Sequence, residues 1–208
     1  YLISDPFGSA MLVVVVIIGL SEIGAIITSG VLIAQQTPAA NRGAVLGAGV
    51  MGGGIAWLFA QNDQSPIMKD ITPEALELGL KQASENFSKA LKKKRMSEDD
   101  FNRKMRSITP ALNFEGFKNV DLVVEAVVEN MDIKKKVFAQ VESEVTDKCI
   151  LTSNTSSLSI EEMSKALKNP SRFAGLHFFN PVNKMPLVEI ITHEKADPLV
   201  IDSLKKWT

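Results

Sequence analysis

The 208 residues carry 23 basic against 24 acidic side chains, for a formal net charge of −1, and 45% of them are hydrophobic. This composition suits a globular protein of one or two domains and excludes a disordered chain, and no bulk positive charge points to nucleic acid. The single cysteine, Cys149, excludes an internal disulfide and a thiolate metal cluster; within the apolar run Cys149-Ile150-Leu151 it reads as a buried strand thiol in a reducing, cytoplasmic setting.

Residues 1–41 read differently from the rest. Met11 to Ala34 has the length of a membrane-spanning helix, with Glu22 as its only charge. A signal peptide fits poorly, because no basic region precedes the run and the run is too long. The many β-branched residues and the interruption Gly19-Leu20-Ser21-Glu22 fit a strand, a helix and a second strand equally well. Membrane contact through 11–34 and a segment belonging to a neighbouring fold unit therefore both stand. The polar, proline-containing stretch Gln35 to Arg42 predicts a linker, dividing the chain into an N-terminal segment, 1–41, and a domain, 42–208.

The domain opens with Ala44 to Ala60, AVLGAGVMGGGIAWLFA: a short apolar run, a glycine turn and an apolar helix pattern. Gly47, Gly49 and Gly52 form a GxGxxG hexad whose order suits a pyrophosphate. The first glycine permits a tight turn, the second lets backbone approach the phosphates, and the third lets helix pack against strand. The free N–H groups of the new helix face the anion. Pro66 to Asp70 then predicts a second strand, with Asp70 about 20 residues beyond the hexad, where an acid would accept the adenosine ribose hydroxyls and repel a 2′-phosphate. This selects NAD over NADP. The competing reading makes Asp70 a turn or cap residue before Thr72-Pro73.

Pro73 sits at the first turn of a long helix whose apolar positions Ala75, Leu76, Leu80, Ala83, Phe87, Ala90 and Leu91 recur at helical spacing. The basic run Lys92-Lys93-Lys94-Arg95 closes it. That run suits either solvent or the phosphates of a coenzyme A moiety. Ser97-Glu98-Asp99-Asp100 predicts the capped start of a second helix with Phe101, Met105 and Ile108 on its apolar face, giving a helical hairpin inserted between strands. Val120 to Val128 reads as a parallel strand covered on both faces, Asn130 to Val145 as a helix and Cys149 to Ser153 as a strand. A helix over Ile160–Leu167 capped by Ser159, and strands over Phe173–Phe179 and Leu187–Thr192, complete an α/β pattern with a mainly parallel sheet.

Polar residues gather at three strand ends: Asn154-Thr155-Ser156-Ser157, His177 with Asn180, and Glu189 inside Leu187-Val188-Glu189-Ile190-Ile191. An acid within an apolar strand needs a partner. His177 is the natural one, since a carboxylate on one imidazole nitrogen fixes the tautomer and makes the other nitrogen a better base, as alcohol dehydrogenation requires. A core histidine bonded to a carbonyl and an outward-facing glutamate are the plain alternatives. His193, the second histidine, reads as a surface residue, and no ligand spacing suggests a metal.

Together AVLGAGVMGGGIA, DLVVEAVVEN, SNTSSLSI and RFAGLHFFNPVNKMPLVEII resemble the NAD-binding domain of L-3-hydroxyacyl-CoA dehydrogenase, from about Arg42 to the C-terminus. The MGGGIA and KMPLVEII wording is most similar to the alpha subunits of bacterial fatty-acid oxidation complexes. The resemblance implies a Rossmann-type doubly wound fold with the inserted hairpin near coenzyme A, and oxidation of L-3-hydroxyacyl-CoA with NAD in fatty-acid β-oxidation. It makes His177 the general base, Glu189 its orienting carboxylate, Ser156 the contact to the substrate's 3-oxygen, and Asn180 a residue holding nicotinamide and substrate. Gly47, Gly49, Gly52 and Asp70 keep their cofactor roles, and Ala126, Glu129, Lys134 and Asn154 match positions lining the NAD site. The family's helical C-terminal domain lies beyond Thr208, so the resemblance implies cofactor binding with little or no turnover by this stretch alone. A short-chain 3-hydroxybutyryl-CoA dehydrogenase and a nucleotide-binding or assembly module are the alternatives. The implied partners are an acyl-CoA and, in a full-length protein, a second copy or a thiolase subunit.

Overall fold

The computed structural model describes residues 42–208 and, before them, only the backbone of three two-residue strands, β1 (Val14–Val15), β2 (Ile17–Ile18) and β3 (Gly30–Val31). The membrane-spanning expectation for Met11–Ala34 lies otherwise outside the described residues. Among the described residues no helix is long and apolar enough to cross a membrane.

From Gly43 the chain builds β4 (Gly43–Leu46), α1 (Val50–Gln61), β5 (Ile67–Lys69), the helical pair α2 (Pro73–Lys92) and α3 (Glu98–Ser107), and β6 (Thr109–Ala111). It continues through β7 (Leu122–Glu125), α4 (Met131–Glu144), β8 (Ile150–Ser153), α5 (Ile160–Ser164), β9 (Phe173–Phe178), β10 (Val188–Ile191) and α6 (Pro198–Trp207). One sheet runs β2-β10-β9-β8-β7-β4-β5-β6. The ladder is parallel from β9 to β6, and β10 returns antiparallel beside β9. From β4 in mid-sheet the chain winds outward to β6, then comes back to lay β7 on the other side of β4. The strand order reverses between β4 and β7, the crevice where doubly wound sheets bind ligands.

Strand alternation divides the core into two layers. Val45, Leu122 and Val124 point to the face covered by α1, α2 and α6, while Ala44, Leu46 and Val123 point to the face holding Phe138, Val141 and Met163 of α4 and α5. Both faces are buried, which is why these strands read as unbroken apolar runs.

Local chemistry sets the helix starts. Ser97 Oγ accepts from Asp100 N–H at 3.1 Å, as the capping pattern predicts, and Thr72 Oγ1, ahead of Pro73, accepts from Ala75 N–H at 3.3 Å. The buried residue of α3 is Lys104, whose Nζ donates to the carbonyls of Ala60 and Gln61 and to Asp63 Oδ1 at 3.2, 2.8 and 2.9 Å. It caps the C-terminal end of α1 with a cation, where the helix dipole favours one.

Four local readings change. β7 stops at Glu125 instead of Val128, because the Glu125 carboxylate takes the Val127 N–H and turns the chain out of the ladder. The helix predicted over Ile160–Leu167 ends at Ser164 and closes with three-residue turns to Ala166 and Leu167. Strand β6 and helix α6 are additions to the predicted pattern. His193 is buried rather than superficial: only 8% exposed, its Nε2 lies 3.0 Å from the Phe173 carbonyl.

Candidate functional site

At the end of β4 the backbone makes the sharp turn that the hexad predicts. Gly47 has φ +94°, and a Cβ there would stand 2.5 Å from the Ala126 carbonyl oxygen. At Gly52 a Cβ would stand 1.6 Å from the Gly47 carbonyl oxygen, so only glycine lets α1 start this close to the strand. Gly49 differs: an added Cβ would meet nothing within 4 Å, and the residue caps α1 with no side-chain hydrogen bond. An open approach to free helix N–H groups is what a pyrophosphate requires, so the residues present fit a dinucleotide.

Asp70 follows β5 and is half-buried beside this turn. Its Oδ2 accepts from Ala48 N–H and its Oδ1 from Ile71 N–H, both at 2.6 Å. Asp70 thus holds the glycine turn itself, and each oxygen keeps a further lone pair that suits a ribose hydroxyl. Ile71, 82% exposed, and Val128, 63% exposed, stand past the ends of β5 and β7.

On the other side of the crevice side chains replace backbone. Glu125, fully buried at the end of β7, accepts at Oε1 from Lys134 Nζ at 2.6 Å and Val127 N–H at 2.7 Å, and at Oε2 from Ser153 Oγ at 2.6 Å. Lys134 is 1% exposed; its ammonium also meets the Val127 carbonyl and Glu129 Oε2, each at 3.3 Å. All three of its protons are thereby directed at protein, so its influence on a cofactor passes through Glu129 and the 126–130 loop. Glu129 Oε1 accepts from Thr155 Oγ1 and, at 3.2 Å, from Ser157 Oγ. Burial alone would raise the Glu129 pKa; the Thr155 hydroxyl and the Lys134 ammonium outweigh it and leave the carboxyl below its ordinary value. Ala126, half-buried, gives its N–H to the Leu46 carbonyl at 2.7 Å and joins this loop to β4.

The sheet register brings His177 and Glu189 together. They are directly opposed in the antiparallel β9–β10 pair, and His177 Nδ1 lies 2.8 Å from Glu189 Oε2 with the two side chains 15% and 24% exposed. Asn154 Oδ1 accepts from Phe178 N–H at 2.7 Å, tying the turn after β8 to the residue next to His177. Ser156 in that turn and Asn180 just past β9 are exposed at the same end of the sheet. Val182 lies 3.0 Å from where a Cβ on Gly54 would stand, which packs the turn after Asn180 onto α1. Both halves of the crevice therefore open at one edge. The predicted basic run 92–95 is exposed at the far tip of the hairpin.

The sequence matches the family described as 3-hydroxyacyl-CoA dehydrogenase, NAD binding domain, over residues 43–208. The chain belongs to that family. Among curated relatives, the fatty acid oxidation complex subunit alpha of Ectopseudomonas oleovorans is 48% identical over 162 residues, covering 78% of this chain and 23% of that protein. The subunit of the same description from Colwellia psychrerythraea is 50% identical over 155 residues, covering 74% of this chain and 22% of the relative. The chain thus spans under a quarter of their length. Among solved structures, the 3-hydroxybutyryl-CoA dehydrogenase of Escherichia coli K12 superposes with a TM-score of 0.76 at 33% identity, covering 79% of this chain and 35% of that one. The (S)-3-hydroxybutyryl-CoA dehydrogenase PaaH1 of Ralstonia eutropha gives 0.77 at 32% identity, covering 81% and 60%. The family's cofactor is NAD, in keeping with the open Gly49 turn and Asp70.

Glu125 carries the same sequence signal as Glu189. It interrupts the apolar run VDLVVEAVV as Glu189 interrupts LVEII, and the same requirement for a partner applies to it.

Proposed function

We propose that residues 42–208 form the NAD-binding domain of an enzyme that oxidises L-3-hydroxyacyl-CoA to 3-oxoacyl-CoA in fatty-acid β-oxidation. The observation that carries this reading is the His177–Glu189 pair at 2.8 Å, at the sheet edge where the uncapped glycine turn opens. Glu189 accepts from Nδ1–H, which leaves the Nε2 lone pair of His177 to take the proton of the substrate hydroxyl. Bound NAD supplies the acceptor for the hydride that leaves the same carbon. Ser156 holds the substrate oxygen, Asn180 keeps nicotinamide and substrate in place, and Asn154 lines the NAD site. Gly47, Gly49 and Gly52 cradle the pyrophosphate and Asp70 selects NAD over NADP, while Ala126, Glu129 and Lys134 shape the nicotinamide side.

The acyl-CoA substrate, assembly with a second copy or a thiolase subunit, and a cytoplasmic setting belong to the same reading. Because the chain spans under a quarter of its curated relatives, a second form of the reading has it bind cofactor and turn over only with further polypeptide.

An NADH fluorescence titration, run beside NADPH and an Asp70→Ala variant, tests the cofactor half. Saturable NADH binding, weakened about tenfold or more in the variant and poor for NADPH, is expected. Reduction of a 3-oxoacyl-CoA, lost in His177→Asn, tests the other half. A folded chain with no affinity for NADH would overturn the reading.

A further inference from the structure

The side chains flanking Ser156 are both bound to one carboxylate. Thr155 Oγ1 and Ser157 Oγ each donate to Glu129 Oε1, while the Ser157 and Leu158 N–H groups donate back to Thr155 Oγ1 at 3.3 and 2.9 Å. Thr155 is 3% exposed and fixed; Ser156 between the two donors is exposed. Glu129 is itself held from behind, its Oε2 facing Lys134 Nζ at 3.3 Å, and that ammonium is anchored on the buried Glu125 at 2.6 Å. A continuous chain of charge-assisted contacts thus runs from the end of β7 through α4 to the turn after β8. We propose that Glu129 is a positioning residue for Ser156: by clamping Thr155 and Ser157 to the Lys134–Glu125 pair it fixes the hydroxyl that meets the substrate's oxygen.

This goes beyond a cofactor-lining role for Glu129 and rests on the reading of Ser156 as the substrate contact. The geometry favours it because the bonds to Glu129 tie residues 155–157 to another strand end, whereas the turn's other long-range ties, Asn154 Oδ1 to Phe178 N–H and Asn154 N–H to the Glu125 carbonyl, both at 2.7 Å, hold only the residue before Thr155. Without Glu129 the hydroxyl of Thr155 still accepts from Ser157 and Leu158, but it has lost the acceptor that sets its own orientation. A turn held beyond its own residues only at Asn154 opens more readily at 155–158 than one also tied through Glu129 to the end of β7. Glu129 is 40% exposed on its side chain, so its removal leaves no buried void.

The test is amide hydrogen exchange on the full chain, comparing wild type with Glu129→Ala and, as a second variant, Ser157→Ala. In Glu129→Ala the Ser157 and Leu158 amides should exchange about tenfold faster, while β4 and β8 amides keep their wild-type rates; Ser157→Ala should give a smaller change of the same sign. Unchanged exchange at Ser157 and Leu158 in Glu129→Ala overturns the proposal, as does acceleration spread through the sheet, which marks general destabilisation. A double-mutant cycle adds a readout that a purely structural role would not move. With NADH present, Ser156→Ala should weaken 3-oxoacyl-CoA binding in wild type but have little further effect in Glu129→Ala; independent, multiplying losses overturn the positioning role. Absence of any 3-oxoacyl-CoA binding by wild type counts against the proposed function, whereas the exchange rates still decide the clamp.

Discussion

The two sides of the crevice are built from different materials. On the β4–α1 side the site is backbone held in a shape that only small residues permit, with Gly52 allowing the helix to start against the Gly47 carbonyl. On the β7–β8 side it is a set of charges, the buried Glu125–Lys134 pair and the partly exposed Glu129, closed by hydroxyls. A shape-built site fails by steric exclusion and is indifferent to protons and salt. A charge-built one fails when a partner is lost, because the remaining ion stays buried without compensation.

The largest expected effect is on the charged side. Glu125→Ala leaves the Lys134 ammonium, 1% exposed, with only the 3.3 Å contact to Glu129 and the Val127 carbonyl, and strips Ser153 Oγ and Val127 N–H of their acceptor. A loss of about 3–5 kcal/mol in urea unfolding is expected. A loss below about 1 kcal/mol would show that the ammonium reaches water or another acceptor, and the description of this side as charge-built would fall.

Next come two glycines that separate shape from binding. Gly52→Ala forces a methyl against a backbone oxygen 1.6 Å away and should cost about 2–3 kcal/mol together with NADH affinity. Gly49→Ala meets no atom within 4 Å, so its melting curve should stay within about 1 kcal/mol of wild type. Its NADH affinity should nevertheless fall about tenfold or more, since the methyl enters the space through which the phosphates approach. Thermal melts and NADH titrations on the same preparations check both. Equal loss of stability in the two variants would mean that Gly49 is structural, not a point of ligand approach.

How much of this was legible follows the same division. The glycine turn and the His177–Glu189 pair could be read because each is a spacing rule: the hexad encodes a turn, and an acid in an apolar strand asks for a partner. Glu125 obeys the second rule as well, yet hides beside Leu122, Val123 and Val124, which fill both layers of the core. Lys134 matches a cofactor-lining position, but that its three protons are spent on protein depends on where β7, β8 and α4 converge, which no local pattern states. Strand β6 escaped because Pro110 argues against a strand interior; at the sheet edge a missing N–H costs nothing. Helix α6 has a local signal in Asp197, which accepts from Leu199 N–H at 2.8 Å, ahead of Ile201 and Leu204 at helical spacing. His193 looked superficial because a residue after a strand has no periodicity to place it, and its burial comes from the loop folding back onto Phe173.

The smallest expected effect is a pH dependence, read on the partly exposed ion pair of Lys135 on α4 with Glu162 on α5 and set beside the steric cost at Gly52. Glu162, on α5, is held at about 2 by its hydrogen bonds to Lys135 and Lys165, at 2.5 and 2.8 Å, and by their charges. Its folded pKa lies below the ordinary 4.5, so its contribution is complete above that value and is lost as pH falls toward about 2. Glu162→Gln should therefore melt below wild type at pH 7, and the difference should close over this window and shrink in high salt, since the side chain is exposed. The cost of Gly52→Ala involves no proton and should hold constant across the same range. Melting both variants from pH 7 down to the lowest pH at which wild type still folds compares a titrating ion pair with a steric clash directly. A Gly52→Ala cost that followed Glu162→Gln with pH would mean that the clash with the Gly47 carbonyl is not what the variant loses.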